Sequence, residues 1–168
     1  MDIAYLFFIA VLLIELVLSY RWNRRYFRTG IPVFWCRLPV RMAQVPTPAE
    51  LELMTETRWF DPLSFHSLPG GELAFREMLF VKWLNRGGGV PIMRGLIRQD
   101  SAGPFVDVIG FLNWYVLAFI AFSMVLIVEP ETDPRFALLP LLAMLGFYLL
   151  QVARFSRVAR SIGGEPIK

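Results

Sequence analysis

Few residues in this sequence have the side chains that catalysis or metal binding requires, and they lie far apart. His66 is the single histidine, and Cys36, the single cysteine, precedes it by about 30 residues. Zinc needs three or four ligands, and a cysteine nucleophile needs a base held beside it. A Cys36–His66 pair is one interpretation, but a structural histidine and an unreactive cysteine are favoured. We therefore predict no catalytic residue, no metal ligand and no enzyme.

Glu15 is the one carboxylate deep inside an apolar stretch. Burying an ionised carboxylate in lipid costs about 3 kcal/mol on insertion scales, so Glu15 should be neutral, paired or in contact with protein. One interpretation is an intramembrane acid that carries a proton or contacts a partner. The favoured one is that Glu15 reaches the membrane interface and meets arginine or water there, because the other apolar stretches contain no acid or histidine to complete a relay.

Two further motifs do not predict a bound group. Gly87-Gly88-Gly89 lacks the Lys-Ser/Thr of a phosphate loop and the glycine spacing of a dinucleotide site. Glu50, Glu52 and Glu56 lack the spacing and turn glycine of a calcium loop. A flexible turn and a solvated acidic face explain them, so no cofactor is predicted.

The composition predicts a membrane protein. Hydrophobic residues make up 56% of the chain and charged residues only 18%, which is too apolar for an ordinary soluble domain. A membrane-crossing helix needs roughly 20 apolar residues, and three stretches approach that length: 3–20, 109–128 and 136–153. We expect an integral membrane protein with three transmembrane helices and a small cytoplasmic α+β unit between the first and second.

Basic residues orient these helices, because lysine and arginine near membrane-crossing ends stay on the cytoplasmic side. They place the amino terminus outside and the carboxyl terminus inside. The predicted parts are a first helix with a basic helical extension (1–29), the α+β unit (30–108), and a helical hairpin with a basic tail (109–168). The arginines beside the helix ends should contact the headgroups of anionic phospholipids: Arg21, Arg24, Arg25, Arg28, Arg154, Arg157 and Arg160.

Local patterns give the elements of the α+β unit. Residues 32–42 are compatible with a strand, and Thr47-Pro48-Ala49-Glu50 has the form of a helix N-cap, which predicts a helix over residues 48–57. Alternating segments on both sides of residues 69–71 and 100–103 predict two hairpins. Residues 72–84 could instead form a helix.

The segment 91–108, which leads directly into the apolar stretch at Asn113-Trp114, resembles a group of uncharacterised bacterial membrane proteins. Arg94-Gly95 and the junction between strand and membrane helix carry the resemblance, which covers about residues 33–155. It implies a small cytoplasmic sheet, similar to bacterial pleckstrin-homology modules, whose last hairpin continues into a helical hairpin. The resemblance implies no activity.

The leading hypothesis is a noncatalytic accessory subunit that stabilises a larger complex, such as a respiratory or photosynthetic one, in the bacterial cytoplasmic membrane. Its partners would be other membrane subunits and anionic phospholipid, and nucleic acid is not needed to explain the arginines. Tryptophan and arginine most often carry interface energy, which selects six candidate contacts: Trp35, Arg37, Arg58, Trp59, Phe60 and Trp83.

The alternative is a lipid- or ligand-sensing membrane module that resembles a pleckstrin-homology domain. It requires a basic pocket in the α+β unit. Six residues could form that pocket: Arg37, Arg41, Arg76, Lys82, Arg94 and Arg98.

Overall fold

Five antiparallel strands form one sheet with the order β1-β5-β4-β3-β2. The computed structural model describes residues 2–39, 46–55, 63–77, 92–99, 105–128 and 135–163. The strands are β1 (Pro32–Pro39), β2 (Ser64–Leu68), β3 (Glu72–Arg76), β4 (Met93–Gln99) and β5 (Phe105–Leu112).

Both predicted hairpins are confirmed. Strands β2 and β3 pair on either side of a turn in which Gly70 and Gly71 have φ angles of 99° and 78°, a region that glycine enters without steric cost. Strands β4 and β5 pair along their length, with Met93 opposite Leu112. The helical alternative for residues 72–84 is wrong over its described part, because Glu72–Arg76 is a strand.

Five helices accompany the sheet within the described ranges: α1 (Asp2–Tyr20), α2 (Arg24–Arg28), α3 (Pro48–Thr55), α4 (Trp114–Val128) and α5 (Arg135–Ile162). The N-cap prediction for α3 is confirmed, since the Glu50 carboxylate accepts the Thr47 backbone N–H at 2.7 Å and the Thr47 hydroxyl accepts the Glu50 N–H. The expectation that α1 continues through Arg28 is wrong. Helix α1 ends at Tyr20, Trp22 follows with a φ of 50°, and Asn23 is the N-cap of α2.

Each face of the sheet has its own hydrophobic cluster. Side chains of one face, including Phe75 and Val108, pack against Leu51 of α3 and Phe155 of α5, and we call this the α5 face. On the other face, which we call the α2 face, Tyr26 and Phe27 of α2 pack with another set of sheet residues: Leu68, Ala74, Leu96 and Phe111. The sheet is therefore an inner layer between helices.

Gly95 shows how closely the α5 face is packed. A Cβ atom at this position would overlap the ring of Phe75, which stacks in turn against Phe65 with centroids 5.3 Å apart. Phe155 of α5 lies on the same ring, with centroids 4.6 Å apart. The absence of a side chain at Gly95 gives the aromatic rings room to meet α5.

The prediction of a three-span membrane protein is wrong. The chain has a five-stranded antiparallel sheet with helices, an α+β architecture. Among the described residues, one helical segment, Leu141–Ile162, is long and apolar enough to cross a membrane, while the apolar segments Leu6–Tyr20 and Trp114–Met124 are shorter. Length and composition are weak evidence for crossing, since buried core helices also pass this test.

The physical reason is that apolar side chains in two of the three stretches belong to the sheet or pack against it. Residues 109–112 of the second stretch belong to β5, which leaves 15 residues for α4. The third stretch does not end at residue 153, because α5 continues to Ile162, and its last turns bury Val158 and Ala159 against the sheet. Hydropathy along the sequence cannot separate these uses.

Candidate functional site

A buried polar cluster joins α1 to the sheet at the point where α4 begins. Glu15 comes from α1, Tyr26 from α2, Arg94 from β4, and Asn113 directly precedes α4. All four residues are buried. The sequence brings them together because the strand register places Arg94 on the α2 face opposite Phe111, two residues before Asn113. We call these four residues the junction cluster.

The Glu15 carboxylate caps helix α4. Its Oε1 accepts the backbone N–H of Trp114 at 2.8 Å, and its Oε2 accepts that of Tyr115 at 2.6 Å. The first N–H groups of a helix have no partner within the helix, and the helix dipole favours negative charge there. Oε1 also accepts the Tyr26 hydroxyl at 2.6 Å. Glu15 therefore fixes α4 to α1.

Arg94 uses its planar fork to connect separate pieces of backbone. Its Nε donates to the Tyr26 carbonyl at 2.9 Å, Nη1 to the Leu112 carbonyl at 2.8 Å, and Nη2 to the Thr29 carbonyl at 2.5 Å. Nη1 lies 3.5 Å from Glu15 Oε1, so the charge is also paired. The guanidinium stacks on the Tyr26 ring, 4.0 Å from its centroid. Lysine could not replace this set of contacts.

Burial governs the electrostatics of the junction cluster. Burial raises the pKa of the Tyr26 hydroxyl far above its ordinary value, and the Arg94 charge opposes that shift only in part. Burial also lowers the pKa of Arg94, against the stabilising influence of Tyr26 and Glu15. Tyr26 therefore remains a hydrogen-bond donor over the whole physiological pH range.

A second buried ion pair attaches α5 to the sheet. Arg154 Nη1 donates to Glu77 Oε1 at 2.6 Å, and both side chains are buried. One turn earlier on α5, the side-chain oxygen Oε1 of Gln151 accepts the backbone N–H groups of Ile92 and Met93 at 3.0 and 2.7 Å. Burial raises the pKa of Glu77 despite the Arg154 charge. These contacts fix the angle at which α5 leaves the sheet.

A third cluster lies on the α2 face near the outer strand β1 and is open to solvent. Buried Asp107 of β5 accepts the indole N–H of Trp35 at 3.3 Å. Arg37 Nε and Arg98 Nη2 approach its two oxygens at 3.8 and 3.9 Å. Ile109 and Trp35 also line a groove of about 500 Å³. We call the groove, together with the cluster around Asp107, the β1 groove.

Helix α2 presents its arginines near the β2–β3 turn. Arg28 Nε donates to Glu72 Oε2 at 2.5 Å, and Arg24 approaches Gly70. Behind them, Trp22 lies between two side chains of the sheet, with the His66 ring stacked 5.1 Å from its centroid and the Arg76 guanidinium at 4.7 Å. His66 therefore packs against an aromatic ring, as a structural histidine does.

The structure separates most of the residues that the sequence singled out. Glu15 meets Arg94 inside the protein, at a place where the sequence suggested only an arginine or water at an interface. Arg154, one of the predicted headgroup contacts, is engaged with Glu77, while Arg21, Arg24 and Arg25 are exposed. Whether the exposed arginines contact lipid stays a prediction.

The predicted partner contacts are only partly described. Trp35 and Arg37 lie together at the β1 groove, and the other four lie outside the described residues: Arg58, Trp59, Phe60 and Trp83. In the proposed basic pocket, Arg41 and Lys82 are likewise outside the described residues. Its remaining four arginines do not converge, because only Arg37 and Arg98 share a carboxylate.

Sequence reasoning missed the polar residues that complete these contacts: Tyr26, Glu77, Asp107, Asn113 and Gln151. A usable signal was present for Asn113, which is an N-cap residue between the β5 pattern and an apolar helix. Glu77 and Arg154 are 77 positions apart, and no local pattern links them.

Among the described residues, no group of three or more His, Cys, Asp or Glu could hold a metal ion. Cys36 is half-buried on the α5 face.

Comparison with known proteins does not place the chain in a family. No protein-family model, no curated protein and no solved structure matches it.

Proposed function

We propose that this protein is a noncatalytic accessory subunit, attached to a membrane by an apolar helical layer and available to a partner through its sheet. One observation carries the proposal. Helices α1, α4 and α5 pack side by side and expose large apolar side chains along their outer surfaces, whereas the sheet beside them buries most of its apolar side chains. Apolar patches this extensive mark sites of membrane or protein contact.

We define the apolar layer by the exposed residues of these three helices. On α1 they include Leu6, Phe7, Leu13, Ile14 and Val17; on α4, Leu117, Ile120 and Met124; on α5, Leu138, Leu139, Leu142, Leu145 and Leu149. Phe8 and Phe119 meet between α1 and α4, with ring centroids 6.1 Å apart. The layer is thus one surface rather than three separate helices.

Its composition favours lipid as the environment. Residues 3–14, 114–128 and 136–153 contain no Asp, Glu, Lys or Arg, and segments in contact with lipid are likewise poor in charged residues. Helix α4, with 15 residues, is about 22 Å long, a depth that reaches well into the hydrocarbon of a bilayer.

Polar and aromatic residues mark the boundary between the layer and the sheet. Tyr20, which is exposed, ends α1, and the exposed Arg21 follows it, while Trp114 begins α4. Tryptophan, tyrosine and arginine are enriched at membrane–water interfaces. The junction cluster lies at this same level, which supports its role as the connection between a membrane-embedded layer and a sheet outside the lipid.

The membrane part of the proposal is tested with two leucine substitutions of equal chemistry. Leu142 of α5 is 63% exposed in the apolar layer, and Leu53 of α3 is 73% exposed away from it. The full chain is synthesised with liposomes, floated on a density gradient and extracted at alkaline pH. We expect Leu142→Glu to increase the extracted fraction several-fold and Leu53→Glu to leave it unchanged. Equal behaviour of the two variants would refute the membrane assignment.

The subunit part is tested separately, by native mass analysis of gently solubilised membranes that contain the full chain. The expected result is a stable assembly with at least one other protein. A monomer with no co-migrating partner would refute it, whatever the flotation result.

A further inference from the structure

Arg76 of β3 is a partly buried arginine with an incomplete set of partners. Its Nε is fully buried and has no hydrogen-bond partner among the described residues. Its Nη1 donates to the Ser19 hydroxyl at 3.4 Å, which is long for a hydrogen bond, and its guanidinium lies 4.7 Å from the centre of the Trp22 ring. Burial lowers the pKa of Arg76. The charge of Arg76 therefore has a desolvation cost that these contacts offset only in part.

The acids near Arg76 are paired with other residues. Glu77, the next residue of the chain, pairs with Arg154 of α5, and Glu72, at the start of β3, pairs with Arg28. The other three arginines of the described strands each lie within 3.9 Å of a carboxylate oxygen: Arg37, Arg94 and Arg98. In the part of the chain that the structure describes, Arg76 is thus the one strand arginine without an acid.

Arg76 lies at the boundary between the apolar layer and the sheet. Its hydroxyl partner Ser19 belongs to the last turn of α1, where Val17 is 48% exposed in the layer and Tyr20 is 74% exposed. The strand register places Arg76 opposite Arg94 of the junction cluster. The headgroup region of a bilayer extends roughly 5–8 Å beyond the hydrocarbon on each side, and this boundary is the part of the protein that meets it.

We infer that Arg76 binds the phosphate of an anionic phospholipid between the end of α1 and strand β3. A guanidinium forms charge-assisted hydrogen bonds with phosphate oxygens. The Ser19 hydroxyl, which accepts from Arg76, can donate its own proton to the same phosphate. The acyl chains extend along the apolar layer. This inference rests on the proposed membrane attachment and names the lipid that takes part in it.

The surroundings of Arg76 favour an anionic lipid over two other sources of phosphate. A zwitterionic headgroup carries an ammonium that needs an acid, and Glu72 and Glu77 are both paired. Free phosphate offers the guanidinium the same oxygens, but it has no acyl chains to hold it at this boundary. A membrane that contains the apolar layer presents lipid phosphates there at high local concentration.

Lipid binding to the full chain tests the inference. The chain is purified in a nonionic detergent and titrated with phosphatidylglycerol, phosphatidylcholine or inorganic phosphate, and the bound molecules are counted by native mass analysis. We expect one phosphatidylglycerol site that Arg76→Gln weakens at least tenfold. Arg76→Lys should weaken it less, because lysine keeps the charge and loses the planar fork. Phosphatidylcholine and inorganic phosphate should bind at least tenfold more weakly than phosphatidylglycerol.

Arg98→Gln is the matched control, since Arg98 is a partly exposed arginine on the same face of the sheet. It lies four residues beyond Arg94 along β4, about 13 Å from the level of Arg76 at the rise of an extended strand. Arg98→Gln should change phosphatidylglycerol affinity less than twofold. An equal loss in Arg76→Gln and Arg98→Gln would show general charge attraction and overturn the inference.

Thermal unfolding in the same detergent separates binding from a folding defect. Phosphatidylglycerol should raise the Tm of the wild-type chain by several degrees and leave that of Arg76→Gln nearly unchanged, because a ligand stabilises only the chain that binds it. If Arg76→Gln does not fold, Arg76→Lys takes its place and should show a smaller rise than the wild-type chain. An equal rise in the wild-type and variant chains, or no rise in the wild-type chain, would contradict the inference.

Two further outcomes would also overturn it. Equal affinity for inorganic phosphate and phosphatidylglycerol would assign Arg76 to a soluble anion. Absence of a phosphatidylglycerol site, while Leu142→Glu and Leu53→Glu still differ in alkaline extraction, would remove this inference and leave the proposed membrane attachment in place.

Discussion

The junction cluster and the β1 groove contain the same kinds of residue on the same face of the same sheet. Each combines an acid, an arginine of β4 and an aromatic side chain, with Arg94 and Tyr26 in one and Arg98 and Trp35 in the other. Arg94 is 1% exposed in its side chain and donates to three backbone carbonyls, whereas Arg98 is 55% exposed and lies beyond hydrogen-bond distance of Asp107.

This difference separates two uses of one side-chain chemistry. In the junction cluster the desolvation of each charge is offset by several hydrogen bonds, so the contacts hold helices in place. At the β1 groove the Arg37 and Arg98 side chains are 47% and 55% exposed and lie 3.8 and 3.9 Å from the buried Asp107 carboxylate, so these ion pairs are longer and more solvated. Burial and hydrogen-bond saturation, rather than residue type, therefore distinguish the architectural Arg94 from the solvated Arg98.

The largest expected effect is on Arg94. Arg94→Ala should lower the free energy of unfolding by about 3–5 kcal/mol, because it leaves Glu15 without its counter-charge and removes the hydrogen bonds to three backbone carbonyls. Denaturant titration of the detergent-solubilised chain measures the change. Arg98→Ala, two positions further along β4, is the control. A loss below about 1 kcal/mol for Arg94→Ala would contradict the architectural role.

Glu15 should show an intermediate effect that depends on the substitution. Glu15→Leu removes the acceptors for Trp114 and Tyr115 and leaves the Arg94 charge unpaired, so we expect a loss of about 2–3 kcal/mol. Glu15→Gln keeps one acceptor oxygen and should lose about half as much. The same titration compares them. Equal stability of the Leu variant and the wild-type chain would mean that desolvation of the carboxylate cancels its contacts.

Glu77 should make stability depend on pH. Burial raises its pKa in the folded chain above the ordinary value of 4.5, so folding favours the protonated form. The stability contributed by this group is complete below pH 4.5 and is lost as the pH rises through the raised pKa. Relative to Glu77→Gln, the wild-type chain should therefore lose stability with rising pH over that interval. Parallel pH profiles of the two chains would refute this assignment.

The smallest expected effect is at the β1 groove. Trp35→Ala and Arg98→Ala should each change the free energy of unfolding by no more than about 0.5 kcal/mol, because both side chains are largely solvated. Thermal unfolding followed by circular dichroism is sufficient. A loss of more than 1.5 kcal/mol in either variant would make the groove part of the core and would remove its contrast with the junction cluster.

Local sequence patterns predicted the strands and α3, since alternation and the Thr47–Glu50 cap act over a few residues. They could not show which apolar side chains of the helices pack on the sheet. Phe155 and Leu149 are both apolar residues of α5, yet Phe155 is buried on the sheet and Leu149 is exposed. The sequence periodicity of a helix does not indicate whether the sheet or the surroundings of the protein contact each turn.

The candidate sites were predictable only as single residues. Glu15 attracted attention as an isolated carboxylate, but its partner Arg94 follows from the register of β4 and from the break between α1 and α2 at Trp22. Trp35 and Arg37 were singled out only for their side-chain types, and the alternation of β1 places both on the α2 face. Asp107, which links them, is 70 positions beyond Arg37, and only the pairing of β1 with β5 brings it there.

The long separation between Glu15 and the helix that it caps has a consequence for biosynthesis. The N–H groups that donate hydrogen bonds to the Glu15 carboxylate belong to residues 99 and 100 positions later in the chain. At roughly 5–20 residues per second, a ribosome needs about 5–20 s to make that interval. During this time the Glu15 carboxylate of α1 has none of these N–H donors. The final position of α1 therefore requires the synthesis of β4, β5 and the first turn of α4.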